Sequence, residues 1–472
     1  MQRRRSTSVG TRTPLEPFVA GYPQLRKVMG PLHGVDYRRL SIDSRTMQSG
    51  ECFVALKGER FDAHDFLPQV VEKRPAAVIV NENGFQSHYG LLKAHSVPAV
   101  VVQDTLHFLQ ELARWHRSRF AVPVIGITGS SGKTTTREMI AAILESRYRV
   151  VRSAKNQNNQ IGVPLSLLKM DETTEVAVLE LGTNRPGEIQ RLTELVQPTI
   201  GVITQIGKGH IGFFGSQEAI YREKTALFRG MASGSTIVLN MEDAFLKRYT
   251  RPDVHILRAG LHGGWDVWGE WLAVDALGCV RWRLNGRVAI QMGIPGRHQF
   301  LNAILASAVG LHLGLTEEAI CQALEAFRPA QQRMEYFQRD GVLFINDAYN
   351  ANPESMRAAL QYLCEVPRGG KRIAVLGDML ELGEFEVYEH RTLGDVIAGL
   401  PIEVILLYGP RMRHLEQRLR ELSPSERVVR WFAAHDELAA FLKTCLSAGD
   451  VVLVKGSRGM QMELVLENLT AE

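Results

Sequence analysis

Val124-Ile-Gly-Ile-Thr-Gly-Ser-Ser-Gly-Lys-Thr-Thr-Thr136 carries an apolar strand straight into a loop of glycines and serines, and Lys133 and Thr134 then open a helix. Such a turn aims several backbone N–H groups and a helix N-terminus at one point, which suits the phosphates of a nucleotide. Gly129, Ser130, Ser131, Gly132 and Thr135 would form the cradle. Lys133 would reach the β- and γ-phosphates, and the Thr134 hydroxyl would ligate Mg2+. The strict phosphate-loop pattern has glycine where Ile127 stands; Gly126 lies one residue early, so the stretch is a variant of the form Thr-Gly-x-x-Gly-Lys-Thr. Met139, Ile140, Ile143 and Leu144 follow at helical spacing. A nucleoside triphosphate is the expected ligand.

Working outward, 472 residues correspond to about three domains. A hydrophobic content of 45% with 22% charged residues is that of an ordinary globular protein with sizeable cores. A formal charge of +4 is too small to argue for nucleic acid or an anionic membrane surface. Cys52, Cys279, Cys321, Cys364 and Cys445 are scattered, odd in number and without metal-ligand spacing, which reads as free thiols in a reducing compartment. No apolar run approaches the roughly 18–20 residues that span a bilayer. The start, Met1-Gln-Arg-Arg-Arg-Ser-Thr-Ser, is basic and lacks an apolar core, so residues 1–20 are expected to be a disordered leader and not a secretory signal. A cytoplasmic monomer without membrane insertion is the expectation.

Three regions separate by pattern. Residues 1–120 hold short apolar runs (Cys52–Leu56, Ala76–Val80, Pro98–Val102) and a helix from Thr105 to Arg119. In residues 121–327 strands alternate with helices, at Val124–Thr128, Val150–Arg152, Val176–Glu180, Ile200–Thr204 and Thr236–Leu239, which predicts a mostly parallel sheet covered on both faces. Trp265–Ile294, with its Asn285-Gly286 turn, reads as antiparallel strands, and helices are expected near Gln299–Leu313 and Glu317–Phe327. Arg328-Pro329-Ala330 reads as a boundary and hinge. Residues 328–472 begin with a hairpin around Asp340-Gly341 and then alternate again, in a doubly wound, Rossmann-like pattern without the Gly-x-Gly-x-x-Gly fingerprint. The fold class is therefore α/β in three domains.

Chemistry-bearing residues cluster where strands of the middle region end. Glu180 closes the apolar run Val176-Ala-Val-Leu-Glu180, at the sheet edge where open α/β folds bind ligands, and could hold Mg2+. His210 projects from the glycine-rich loop Thr204-Gln-Ile-Gly-Lys-Gly-His210, and is read as a metal or phosphate contact. Lys224 lies on a helix expected over Gln217–Arg229. Its amine could remain a solvated cation, or react with CO2 to give a carbamate and become an anionic ligand. In the last region Asp347, Tyr349, Asn350 and Asn352 exceed the polar needs of a turn. Val454-Lys-Gly-Ser-Arg-Gly459 repeats the strand-then-loop design and could offer donors to a carboxylate.

Together these segments resemble the ATP-dependent Mur ligases of bacterial cell-wall synthesis. The resemblance rests on an ordered set: Thr128-Gly-Ser-Ser-Gly-Lys-Thr-Thr135, Asn156-Gln-Asn-Asn-Gln-Ile-Gly-Val-Pro164, Glu180-Leu-Gly, His210, Gly296-Arg-His-Gln-Phe-Leu-Asn302, Asn346-Asp-Ala-Tyr-Asn-Ala-Asn-Pro353 and Gly377-Asp-Met-Leu-Glu-Leu-Gly383. It covers nearly all of the chain after residue 40. The second and sixth strings favour the member that adds D-alanyl-D-alanine to UDP-N-acetylmuramoyl-tripeptide by way of an acyl phosphate. The alternatives are a relative that adds a single amino acid and, outside the family, a regulatory P-loop ATPase. The resemblance implies a first domain gripping the UDP end through Ser44 and Arg45, and ATP and Mg2+ in the middle domain at Thr134, Glu180, His210 and a carbamylated Lys224. It further implies Asn302 and Arg333 on adenine and phosphates, Asp347 near the ribose, and Asn156 and Asn159 on substrate or phosphate. Asn350, Ser457 and Arg458 are the candidates for the dipeptide pocket. Gln299 stands where asparagine is common, and Ala63 where glycine is usual.

Overall fold

The computed structural model describes residues 13–470 apart from 59, 155, 330, 368 and 423–426. The expected leader is corrected from its far end. Leu15 and Val19 are buried and Phe18 nearly so, around the helix Glu16–Gly21. Phe18 packs on Phe108 and Trp115 at 5.3 and 5.5 Å between ring centres, and aromatic burial of this kind stabilises by roughly 1.5–3 kcal/mol per side chain. The remainder of that leader, residues 1–12, lies outside the described residues, as does Ala330 of the expected hinge.

The chain divides into two compact units, Met1–Ala121 with Ala154–Glu172, and Val122–Ser153 with Thr173–Glu472. The first holds a five-stranded sheet of β1 (Leu25–Met29), β2 (Leu40–Ser41), β3 (Cys52–Val54), β4 (Ala77–Asn81) and β5 (Ala99–Val102), in the order β1-β5-β4-β3-β2. β2 to β5 run parallel, and β1 is antiparallel on the β5 edge. The apolar strands form a core with Leu67, Val70 and Leu92. β1 and β2 escape the periodicity because one is a charged edge strand and the other spans two residues. Ala154–Glu172 belongs to this unit through its own buried Val163 and Leu167, and His116 Nε2 donates to the Met170 carbonyl at 2.9 Å.

The second unit contains two sheets. The larger has nine strands: β6 (Val124–Thr128), β7 (Val150–Arg152), β8 (Val176–Glu180), β9 (Ile200–Ile203), β10 (Thr236–Asn240), β11 (His255–Gly260), β12 (Val267–Val274), β13 (Cys279–Leu284) and β14 (Val288–Pro295). Their order is β14-β13-β12-β11-β10-β9-β6-β8-β7. The strands expected as antiparallel over Trp265–Ile294 extend this sheet: β12 joins parallel to β11, and the pairing turns antiparallel at β13 and β14. Trp282 is fully buried there, 5.0 Å from the Phe300 ring. The smaller sheet has six strands, β15 (Glu335–Arg339), β16 (Val342–Asp347), β17 (Arg372–Gly377), β18 (Val404–Tyr408), β19 (Val428–Phe432) and β20 (Val451–Lys455), in the order β15-β16-β20-β17-β18-β19. All its pairs are parallel except the β15–β16 hairpin.

The helix expected over Gln217–Arg229 is interrupted, running as Gln217–Lys224 and Ala226–Gly230. Thr225 between them donates its hydroxyl to the Tyr221 carbonyl at 2.7 Å, a back-bond that competes with the helical ladder.

Candidate active site

The register of the larger sheet brings three strand ends together. Ile127 of β6 pairs with Glu180 of β8 on one side, and Thr128 pairs with Ile203 of β9 on the other. All three strands are parallel, so their carboxyl ends open on one edge, where loops and not strands occupy the space. Gly129 to Gly132 leave β6 there, and the helix Lys133–Glu145 begins.

The loop is held by specific contacts. Ser130 N–H donates to Gln205 O at 2.9 Å, and its hydroxyl donates to Gly207 O while accepting from Gly207 N–H. Gly132 is left-handed at φ +82°, and a Cβ there would lie 2.6 Å from Asn302 Oδ1. Only glycine admits that amide against the loop. Lys133 is half-buried and donates to the Gly129 carbonyl at 2.9 Å. Burial lowers its pKa; the charges of Glu180 and Glu381 oppose that shift, and Arg333 adds to it.

Glu180 is buried at the strand end. Its Oε2 accepts the Thr134 hydroxyl at 2.7 Å and an Arg137 N–H at 3.2 Å, and its backbone N–H donates to the Ser153 hydroxyl at 3.1 Å. Arg137 is buried on the first turns of the same helix and also bridges Glu138. The motif reading did not single it out; its signal was a cation one helical turn past Lys133, on the face Thr134 shares.

His210 sits in the left-handed region at φ 65°, as does Glu381 at φ 64°. His210 Nδ1 stands 2.6 Å from Glu381 Oε2, without the alignment of a hydrogen bond. Next to them the Gly212 N–H donates to the Glu381 carbonyl at 3.1 Å. Paired backbone outliers of this sort cluster at ligand sites. Glu381 belongs to the Gly377–Gly383 string but had been given no role. His210 and Lys133 both hold its carboxyl below the usual range. Lys224 is 2% exposed, and its ammonium makes no hydrogen bond or ion pair with a described residue. Burial, reinforced by the Lys133 charge, pushes its pKa well down. Neighbouring Glu223 instead accepts the N–H groups of Gly187 and Ile189, at 2.7 and 2.8 Å.

From the smaller sheet Asn352 reaches the phosphate loop, its side-chain N–H donating to Ser130 O at 3.2 Å while its Oδ1 caps the helix Pro353–Glu365. Asn302 is buried and donates to Gln299 Oε1 at 2.9 Å. The Arg333 guanidinium lies 3.9 Å from the centre of the Tyr349 ring. Asp347 pairs with Lys455 at 2.5 Å and accepts the Met334 N–H. Lys455 also donates to the Asn350 carbonyl at 2.9 Å. Ser457 is buried, its hydroxyl bonded to Ala351 O and Leu380 N–H. Arg458 is half-exposed and bound to Glu463 and Gln332.

The remaining candidates belong to the first unit. Ser44 is buried and Arg45 exposed, its guanidinium forked on Asp43 at 2.9 and 2.7 Å. Asn159 Oδ1 accepts the N–H groups of Ile161 and Gly162, fixing the start of the helix Gly162–Leu167. Asn156 is exposed, its carbonyl accepting the Asn158 N–H.

Three family models match in chain order: "Mur ligase family, catalytic domain" over residues 36–117, "Mur ligase middle domain" over 127–310, and "Mur ligase, glutamate ligase domain" over 332–458. The chain belongs to the Mur ligase family. This Mur ligase is 35% identical over 440 residues to the UDP-N-acetylmuramoyl-tripeptide--D-alanyl-D-alanine ligase of Bacillus subtilis, covering 93% of each chain. It is 31% identical to the ligase of that name from Escherichia coli, over 93% of this chain and 96% of the other. The crystal structure of MurF from Acinetobacter baumannii superposes with a TM-score of 0.84 at 33% identity, covering 94% and 95% of the two chains. MurF of Thermotoga maritima in complex with ADP gives 0.79 at 28% identity, over 92% and 97%. A three-domain α/β architecture is thereby established for this Mur ligase.

Mg2+ fits the donor chemistry. Among the described residues no three His, Cys, Asp or Glu side chains converge into a ready-made metal cluster. Mg2+ does not ask for one, because it is commonly bound by one or two carboxylates with phosphate oxygens and waters completing the octahedron. Thr134 Oγ1 and Glu180 Oε2, 2.7 Å apart beside the phosphate loop, are hard oxygen donors of that kind. No helix of the described residues is long and apolar enough to cross a membrane.

Proposed function

We propose that this Mur ligase joins D-alanyl-D-alanine to the terminal carboxylate of UDP-N-acetylmuramoyl-tripeptide, converting ATP to ADP and phosphate and giving the pentapeptide precursor of peptidoglycan. The observation that carries the reading is the meeting of Lys133, Thr134, Glu180 and His210 at one sheet edge, with a C-terminal sheet contributing Asn352 and Glu381 to the same place. Relatives similar over nearly the whole chain are named for this reaction.

A carboxylate oxygen of the tripeptide forms a bond to the γ-phosphorus of ATP, and the bond from that phosphorus to the ADP oxygen breaks. The amine of the dipeptide, as free base, then bonds to the carbonyl carbon of the acyl phosphate. The tetrahedral species expels phosphate, and the nitrogen loses a proton. Two anions meet in the first step, so most of the catalysis is positioning and charge neutralisation. Lys133 is the fixed cation for this purpose. Gly129 to Thr135 hold the phosphates with backbone N–H groups, and Asn302 and Arg333 hold adenine and phosphates, with Asp347 near the ribose. Mg2+, when bound, supplies further neutralisation, and Thr134, Glu180, His210 and Lys224 as its carbamate would hold it. The lowered basicity of Lys224 favours that modification, since only a neutral amine forms the N–C bond to CO2, with loss of a proton. Ser44 and Arg45 grip the UDP-sugar end, Asn156 and Asn159 contact substrate or phosphate, and Asn350, Ser457 and Arg458 hold the dipeptide.

The test is phosphate release from ATP with Mg2+ and UDP-N-acetylmuramoyl-tripeptide, with the dipeptide added or omitted. Release that depends on D-alanyl-D-alanine and yields the pentapeptide is expected. Stronger stimulation by a single amino acid would move the chain to another branch of the family. Full release without any peptide substrate would make it a regulatory ATPase.

A further inference from the structure

The loop that carries Ser44 and Arg45 is gripped from beneath by one lysine. Lys73 caps the C-terminal end of the helix Leu67–Glu72. Its ammonium donates to the carbonyls of Ser44 at 2.6 Å, Arg45 at 2.9 Å and Met47 at 3.4 Å. An ammonium has three N–H donors, so this loop takes all of them. The loop has a second tie in Asp43. Its carboxylate accepts the Arg45 backbone N–H at 3.0 Å and both Nε and Nη2 of the Arg45 guanidinium. Those bonds hold the Asp43 pKa down at about 2, helped by the charge of Lys73. Arg45 is therefore solvent-facing at 85% side-chain exposure, yet pointed in one direction, with Nη1 left for an anion. Met47 is buried in the core of the first unit, but Arg45 and Thr46 before it are exposed, and exposed chain without such ties samples many conformations that would have to be excluded on binding.

We infer that Lys73 is a positioning residue for the nucleotide-sugar end of the substrate: by tying the carbonyls of Ser44, Arg45 and Met47 it pre-organises the Ser44–Arg45 loop that receives the diphosphate. The inference rests on the proposed role of Ser44 and Arg45. Lys73 touches no substrate; its effect passes through the loop.

The experiment compares full-length Lys73→Met and Arg45→Ala enzymes by steady-state kinetics, varying UDP-N-acetylmuramoyl-tripeptide and ATP separately. Hydrogen exchange is followed over the peptide containing residues 41–48. The expected result for Lys73→Met is a rise of about tenfold in KM for the UDP substrate, with kcat and the KM for ATP within about twofold. Exchange should be faster in that peptide alone. A Lys73→Met enzyme with unchanged KM, beside an Arg45→Ala enzyme whose KM rises, overturns the inference and leaves the reading of the loop standing. No change in either variant removes Ser44 and Arg45 from the substrate site and the inference with them. A joint fall of kcat and both affinities marks Lys73 as merely structural and also overturns it. If Lys73→Met does not fold, Lys73→Gln, which keeps two N–H donors without the charge, carries the same comparison.

Discussion

Replacing Lys133 by methionine separates chemistry from folding at the centre of the site. The ammonium makes one hydrogen bond, to the Gly129 carbonyl at 2.9 Å, and a bond of that type contributes roughly 0.5–3 kcal/mol net. Against this stands the cost of holding a cation in a desolvated place, visible in its lowered pKa, which methionine removes. The two effects oppose each other, so folding stability should move by no more than about 1 kcal/mol, or a few degrees in melting temperature. The catalytic effect has no such offset. A preorganised charge facing the transferring phosphoryl group is commonly worth about 2.7–4 kcal/mol of transition-state energy, or 10²–10³ in rate. Dipeptide-dependent phosphate release at saturating substrate should therefore fall by that factor in a protein that melts normally. A Lys133→Met enzyme within about tenfold of the parent kcat refutes the assignment. A collapse in melting temperature would show that the lysine holds the loop and not the phosphate.

Gly132→Ala combines a left-handed backbone with a Cβ placed 2.6 Å from Asn302 Oδ1. It should cost about 1–2 kcal/mol locally and raise the KM for ATP at least about tenfold, which nucleotide titration checks. Glu389, 1% exposed, meets Arg357 of a neighbouring helix at 3.3 Å and, from the layer of the larger sheet, Lys208 at 2.6 Å. Breaking a fully buried pair costs about 3–5 kcal/mol; with both cations near one-third exposed, Glu389→Gln should lose about 1–3 kcal/mol in a denaturant titration, and a loss under about 0.5 would contradict the contact. Buried His116 accepts the Tyr37 hydroxyl on Nδ1 and donates from Nε2 to Met170 O, and burial lowers its pKa from 6.5 to about 4. The folded state thus disfavours the protonated ring, so stability is full above pH 6.5 and falls as pH drops toward 4, by about 3 kcal/mol in all. Urea midpoints at pH 7 and pH 4.5 should show that slope in the parent and a shallower one in His116→Gln.

Much of the architecture was legible because it is written in local repetition. β6 and β8 begin and end where their apolar runs do, since a strand buried on both faces admits few polar residues. The hairpin at Asn285-Gly286 was readable for its turn chemistry. β11 was not, because His255 and Arg258 break its pattern while their neighbours in the sheet supply the pairing. The split at Thr225 was equally hidden: its cause is a single hydroxyl turning back on Tyr221.

By itself the sequence determined the phosphate loop, the strand that delivers Glu180, and the loop that carries His210. Each is made from contiguous residues whose glycines, hydroxyls and apolar spacing dictate their own backbone. Only the tertiary structure decided the partners: Arg137 with Thr134 on Glu180, Glu381 beside His210, Asn302 against Gly132, and Lys73 beneath Ser44. Such pairings join residues far apart along the chain. Their energies depend on distance and burial in the folded protein, and those quantities leave no periodic mark on the sequence.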